Sequence, residues 1–203
     1  LHRRRHSFPT RRSSDLRIIL ALDESGSMEQ NKLEVISGVN KFIEEQINTG
    51  GECLFSLIKF SSTVNPLWSN IPIQKMSLLT PNLYKPDNMT ALYDTIGHIF
   101  KKNEDTKNII LVIMTDGIDN SSKVYTKKSI HDLINKYKTE HNWKIIYLAA
   151  DPTLSSQGED IGLNNCHNTI NMNVDYSGLS SFLPSLSRNI SAYRTGASTN
   201  INI

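Results

Sequence analysis

The chain has 203 residues, 38% apolar and 21% charged, with a formal net charge of +2, which is enough apolar material for one sizeable core and hence one globular domain. Its longest apolar runs, "IILAL" and "IILVIM", fall far short of the roughly 18 residues of a bilayer span. No apolar leader core follows the first arginines, so the expected setting is cytoplasmic, away from membranes.

Residues 1–16, "LHRRRHSFPTRRSSDL", differ in composition from everything that follows. From His6 to Leu16 they resemble sequencing-adapter DNA translated in one frame, and the segment reads as a cloning or assembly scar to be set aside. The other reading is a basic arm for nucleic acid or anionic lipid. Removing its five arginines and one aspartate turns the net charge from +2 to −2, so the basicity is no sign of a nucleic-acid partner.

From Arg17 onward, strand and helix signals alternate. Ile18 to Leu22 is a short continuous apolar run, as in a strand covered on both faces. Leu33, Ile36, Val39, Ile43 and Ile47 then recur at helical spacing up to Thr49-Gly50-Gly51. "CLFSLIKF" is strand-like, and "TVNPLW" can pair with it as a hairpin, with Pro66 favouring an edge. A polar loop from Ser77 to Met89 leads to Thr90, expected to cap a helix whose Leu92, Ile96, Ile99 and Phe100 face one way. "NIILVIMTD" is the strongest strand.

A helix with Ile130, Leu133, Ile134 and Tyr137, the strand "WKIIYLAA" and a short helix around Gln157 to Ile161 come next. A weaker strand at "NTINMNV" and a helix with Leu179, Leu183, Leu186 and Ile190 complete the series. Pro184 belongs in the first turn of that helix or at a kink. The tail "TGASTNINI" reads as mobile. Strands alternating with helices imply an α/β fold, a mostly parallel sheet with helices on both faces, and ligands beyond the C-terminal strand ends.

The two cysteines, Cys53 and Cys166, suggest neither a disulfide framework nor a zinc site. The histidines His98, His131, His141 and His167 share no ligand spacing. Hard oxygen donors, by contrast, gather in three loops. The first holds Asp23, Ser25 and Ser27; the second holds Thr90; the third holds Asp116 in "IMTDGIDN". In an extended turn residues 23, 25 and 27 point the same way, and Gly26 lets the chain bend back. Two carboxylates and three hydroxyls suit Mg²⁺, which takes six oxygens at about 2.0 to 2.1 Å and keeps several waters; Mn²⁺ or Ca²⁺ are alternatives. Neutral hydroxyls leave the ion attractive to a further anion, so a partner's Glu or Asp is the expected occupant of an open position. Asp119 reads as a loop carboxylate, and Asp94 either as support for the site or as a solvated face.

The D-x-S-x-S of Asp23 to Ser27, the later Thr90 and the Thr115-Asp116-Gly117 triplet resemble the metal-ion-dependent adhesion site of von Willebrand factor type A domains. The likeness covers residues 17 to about 195 and, in "MTALYDTI", "TDGIDNSSKVYT" and "WKIIYLAAD", is greatest to stand-alone microbial and phage members. It implies a domain over residues 17–195 before a tail at 196–203. The implied fold is a Rossmann-like, doubly wound, six-stranded sheet with one antiparallel edge strand. It also implies metal contact from both serines directly, and from the threonine and aspartates directly or through water. Members often carry glycine just before the metal threonine, where this chain has Asn88-Met89.

Three functions follow as expectations. One is a non-enzymatic, metal-dependent module that binds an acidic residue of a partner protein. Another is docking within a larger assembly. The alternative is a Mg²⁺-dependent phosphatase of the haloacid-dehalogenase type; there the general acid two residues after the first aspartate is replaced by Ser25, which cannot serve.

Overall fold

The computed structural model describes residues 16–149, 155–164, 169–173 and 176–201; residues 1–15, Cys166 and His167 lie outside them. The elements are β1 (Arg17–Asp23), α1 (Lys32–Asn48), β2 (Leu54–Phe60), β3 (Val64–Pro72), α2 (Leu92–Lys102) and β4 (Ile109–Thr115). They continue with α3 (Lys127–Glu140), β5 (Lys144–Ala149), α4 (Ser155–Asp160), β6 (Thr169–Asn173) and α5 (Tyr176–Arg194). The sheet runs β3-β2-β1-β4-β5-β6. Only β3 is antiparallel to its neighbour, and the other strands are parallel. Pro66 lies on that outer strand, opposite Ile58, as proline is tolerated at a sheet edge.

The continuous apolar runs resolve into two alternating sets, as a period of two in a doubly covered sheet requires. Ile18, Leu20 and Leu22 join Phe55, Leu57, Ile110, Val112 and Met114 in one core with α1 and α5. Ile19 and Ala21 join Ile58, Phe60, Leu111, Ile113, Ile145 and Tyr147 in the other, with α2 and α3. Among the described residues no helix is long and apolar enough to cross a membrane, and Cys53 is a buried free thiol.

Several boundaries differ from the reading of the sequence. Leu16, expected to end the foreign segment, is buried in the first core and accepts the N–H of Leu54. Ile201, expected in a mobile tail, is buried in the same core, since an isoleucine within reach of the α1–α5 face gains by leaving water. Leu33 is 67% exposed; it begins α1 beyond the sheet, and the buried stripe starts at Val35. Of the two placements expected for Pro184, a first turn or a kink, the first is excluded, since it sits in the interior of α5.

Candidate metal centre

The order of the sheet reverses beside β1, which pairs with β2 on one side and β4 on the other. Helices cover opposite faces on the two sides of such a switch point, which opens a crevice at the C-terminal strand ends. Asp23 ends β1, Thr115 ends β4, and Asp116 follows it.

Asp23 is fully buried. One carboxylate oxygen accepts the backbone N–H of Ser25 at 2.8 Å and the other the Thr115 hydroxyl at 2.6 Å. Burial pushes its pKa up to about 6; the bonds from Thr115 and Ser25 oppose this, and the like charge of Asp116 adds to it. Ser25 Oγ lies 3.2 Å from Ser27 Oγ, and Ser27 Oγ donates to Asp116 at 2.6 Å. Four of the five expected ligands thus form one connected set.

Thr90 completes it. A methyl group on Gly117 would stand 2.8 Å from Thr90 Oγ1, so only a glycine after Asp116 leaves the threonine hydroxyl room to lie against that loop. Thr90 does not cap its helix. Ala91 occupies the N-cap position and supplies no side-chain cap; Asp119 and the Ser122 hydroxyl accept the first-turn N–H groups of Tyr93 and Asp94 instead. Capping from across the crevice frees the Thr90 hydroxyl and ties the third loop to α2.

The first loop also reaches its geometry by another route than an extended turn. Ser25 is extended, but Gly26–Asn31 is a 3-10 turn, and the curl of the chain brings the Ser25 and Ser27 hydroxyls together. Gly26 meets no close contact, since a Cβ there would lie 3.5 Å from the Asn88 carbonyl. Its N–H donates to that carbonyl. Asn88 takes φ +69°, the left-handed conformation for which glycine is usual and asparagine next best.

Supporting residues surround this set, all but Asp94 not singled out in the sequence. The Asn120 side chain accepts the Thr90 N–H, and the backbone N–H groups of Asn120 and Ser121 bond the Thr90 carbonyl. Gln157 on α4 accepts the N–H of Asp119 and donates to the Gly117 carbonyl and the Tyr147 hydroxyl. Asp94 holds the backbone N–H groups of Lys123, Val124 and Tyr125, and these bonds pull its pKa down against burial. Only Asp94 carried a signal in the sequence, as a carboxylate one turn beyond Thr90.

Among the described residues no group of three or more His, Cys, Asp or Glu stands together. The set is therefore two carboxylates diluted by hydroxyls. Its chemistry fits a small hard dication, which satisfies desolvated carboxylates and retains waters, and does not fit a soft metal. Asp23, Ser25, Ser27, Thr90 and Asp116 are the residues that would hold it.

The sequence profile of the von Willebrand factor type A domain matches residues 18–184. A search of curated proteins finds no match. Among solved structures the chain resembles proximal thread matrix protein 1 of the mussel byssus, with 18% identity, TM-score 0.60, and coverage of 85% of this chain and 46% of that one. It also resembles VWA2, the ArnB paralogue of Sulfolobus acidocaldarius, with 15% identity, TM-score 0.57 and coverage of 85% and 45%. Manganese-loaded TRAP protein of Plasmodium vivax shares 16% identity, with TM-score 0.50 and coverage of 84% and 72%. At these identities the likeness concerns the fold, and the chain spans less than half the length of the first two.

Proposed function

The chain belongs to the von Willebrand factor type A domain family, and from that premise we propose that it is a divalent-metal-dependent protein-binding module with no catalytic role. Domains of this family are typically metal-dependent adhesion or protein-interaction modules. In this reading Asp23, Ser25, Ser27, Thr90 and Asp116 hold Mg²⁺ or Mn²⁺. The ion, when bound, supplies a positive centre that a partner's Asp or Glu carboxylate can ligate. The protein's part is to hold five oxygens at one crevice, to bury Asp23 so that a cation is favoured over water, and to stay short of full charge compensation.

The observation that carries this reading is the hydrogen-bonded series from Thr115 through Asp23 and from Ser25 through Ser27 to Asp116, at the switch point of the sheet. The phosphatase alternative has no support: a serine, Ser25, stands where that chemistry needs an acid. Titration calorimetry with MgCl₂ and MnCl₂ tests the proposal. The unmodified chain is expected to bind one ion and the Asp116→Ala variant none; equal affinity in the two refutes it.

A further inference from the structure

Beyond the five oxygens lies a buried ion pair that the proposed function does not use. Glu24 stands between Asp23 and Ser25. Its carboxylate meets Lys59 Nζ at 2.7 Å, and the two side chains are 11% and 9% exposed. A lysine near the end of a buried apolar strand is costly unless paired, so its position asks for a reason beyond filling space.

The reason lies in what the pair grips. Residues 83–91, which end in Thr90 and the start of α2, contain neither helix nor strand, so their backbone groups must find partners elsewhere. Lys59 Nζ donates to the Leu83 carbonyl at 2.6 Å, and the Glu24 carboxylate accepts the Lys85 N–H at 2.6 Å. The Glu24 carbonyl accepts the Asp87 N–H, and the Tyr84 hydroxyl donates to the Asp23 carbonyl at 2.6 Å. One step further along, the Asn88 carbonyl takes the Gly26 N–H. The strap carrying Thr90 is thereby bonded, residue after residue, to the loop carrying Asp23, Ser25 and Ser27.

We propose that Glu24 and Lys59 are positioning residues for the metal centre: a buried latch that sets the second ligand loop against the first and so fixes Thr90 relative to Asp23, Ser25 and Ser27. This rests on the proposed function, since it concerns affinity for the ion. Neither residue touches the ion. The latch acts through the backbone of residues 83–88, and groups that orient ligands in this way typically govern affinity by about ten- to a hundredfold.

A merely structural ion pair and a positioning one are separable because a buried pair can be replaced by apolar side chains of similar volume with little loss of stability, whereas removing one partner strands a charge. The test uses the full chain, with MnCl₂ as the probe, and compares Lys59→Met, the double variant Glu24→Leu with Lys59→Met, and Glu24→Gln. Lys59→Met should melt well below the unmodified chain. The double variant should recover most of that loss yet bind Mn²⁺ about tenfold or more weakly, with faster hydrogen exchange at the amides of Lys85 and Asp87. A double variant that is stable and binds Mn²⁺ as the unmodified chain does overturns the latch. Should the double variant fail to fold, Glu24→Gln decides. It keeps the size and an acceptor, and weaker Mn²⁺ binding with faster strap exchange supports the latch, while unchanged binding overturns it. An unmodified chain that takes up no Mn²⁺ refutes the proposed function and the latch with it; an unchanged double variant refutes the latch alone.

Discussion

Two buried polar clusters sit at different places in this fold, and they are built on opposite principles. Between α1 and α5, the Gln46 amide donates to the Ser187 carbonyl and hydroxyl at 2.7 Å, and Arg194 donates to the Gln46 side chain and to the carbonyls of Gln46 and Gly50. Most donors and acceptors there are paired, the buried Arg194 Nε being the exception, and the cluster closes the end of α1 against α5. At the switch point, Asp23 is buried with hydroxyl and N–H donors around it and with Asp116 raising its pKa. The first cluster is closed mainly by neutral protein donors and acceptors and supports stability; the second concentrates negative charge where water is scarce, at a cost in stability that a cation can offset.

The contrast predicts that stability and metal affinity respond to different residues. Gln46→Leu leaves buried partners in Ser187 and Arg194 without the amide, and should cost about 2–3 kcal/mol in urea denaturation while leaving Mn²⁺ affinity unchanged. A loss of Mn²⁺ affinity in that variant would merge the two clusters into one.

Asp23→Asn should behave in the reverse way, with metal binding lost and the metal-free fold no weaker. The sign follows from burial. Because the folded-state pKa is about 6 against an ordinary 3.8, the folded chain keeps a proton that the unfolded chain has released between those values. The Asp23 contribution to metal-free stability therefore falls as pH rises through that window and stays lost above it. In EDTA the variant should gain on the unmodified chain by about 3 kcal/mol at pH 7, with the gap closing near pH 4. Over the same range Mg²⁺ affinity of the unmodified chain should strengthen with pH and level off above about 6, read by calorimetry.

The smallest change sharpens the boundary between ligand and support. Gly117→Ala places a methyl 2.8 Å from the Thr90 hydroxyl and should weaken Mn²⁺ binding about tenfold with about 1 kcal/mol lost from the fold. Unchanged Mn²⁺ binding in a folded Gly117→Ala variant would remove Thr90 from the set.

The clusters also differ in how far they could be read from the chain. Strands β1, β4 and β5 declare themselves as continuous apolar runs, and the alternation of elements implies a parallel sheet with its site at the C-terminal edge. Asp23, Ser25 and Ser27 are legible because three donors within five residues are a local pattern. What binds the loops together is not local. Thr90 looked like a helix cap because threonine before a helix is usually one; the capping groups are Asp119 and Ser122, which reach α2 from a loop some thirty residues on. Glu24 and Lys59 are 35 residues apart, and nothing in either neighbourhood announces the pairing except the oddity of a lysine in "LFSLIKF". Gln157 is a polar residue in a short helix until the fold lays its amide between Asp119 and Gly117. Position in the fold, and not residue type, gives these three their roles.

The most direct measurement is anomalous diffraction from crystals of the full chain soaked in MnCl₂. A single manganese peak is predicted at the switch point, within coordinating reach of Asp23, Ser25, Ser27, Thr90 and Asp116 directly or through one water. A crevice without manganese, or manganese bound only elsewhere on the molecule, would contradict the claim that these five side chains form a metal centre.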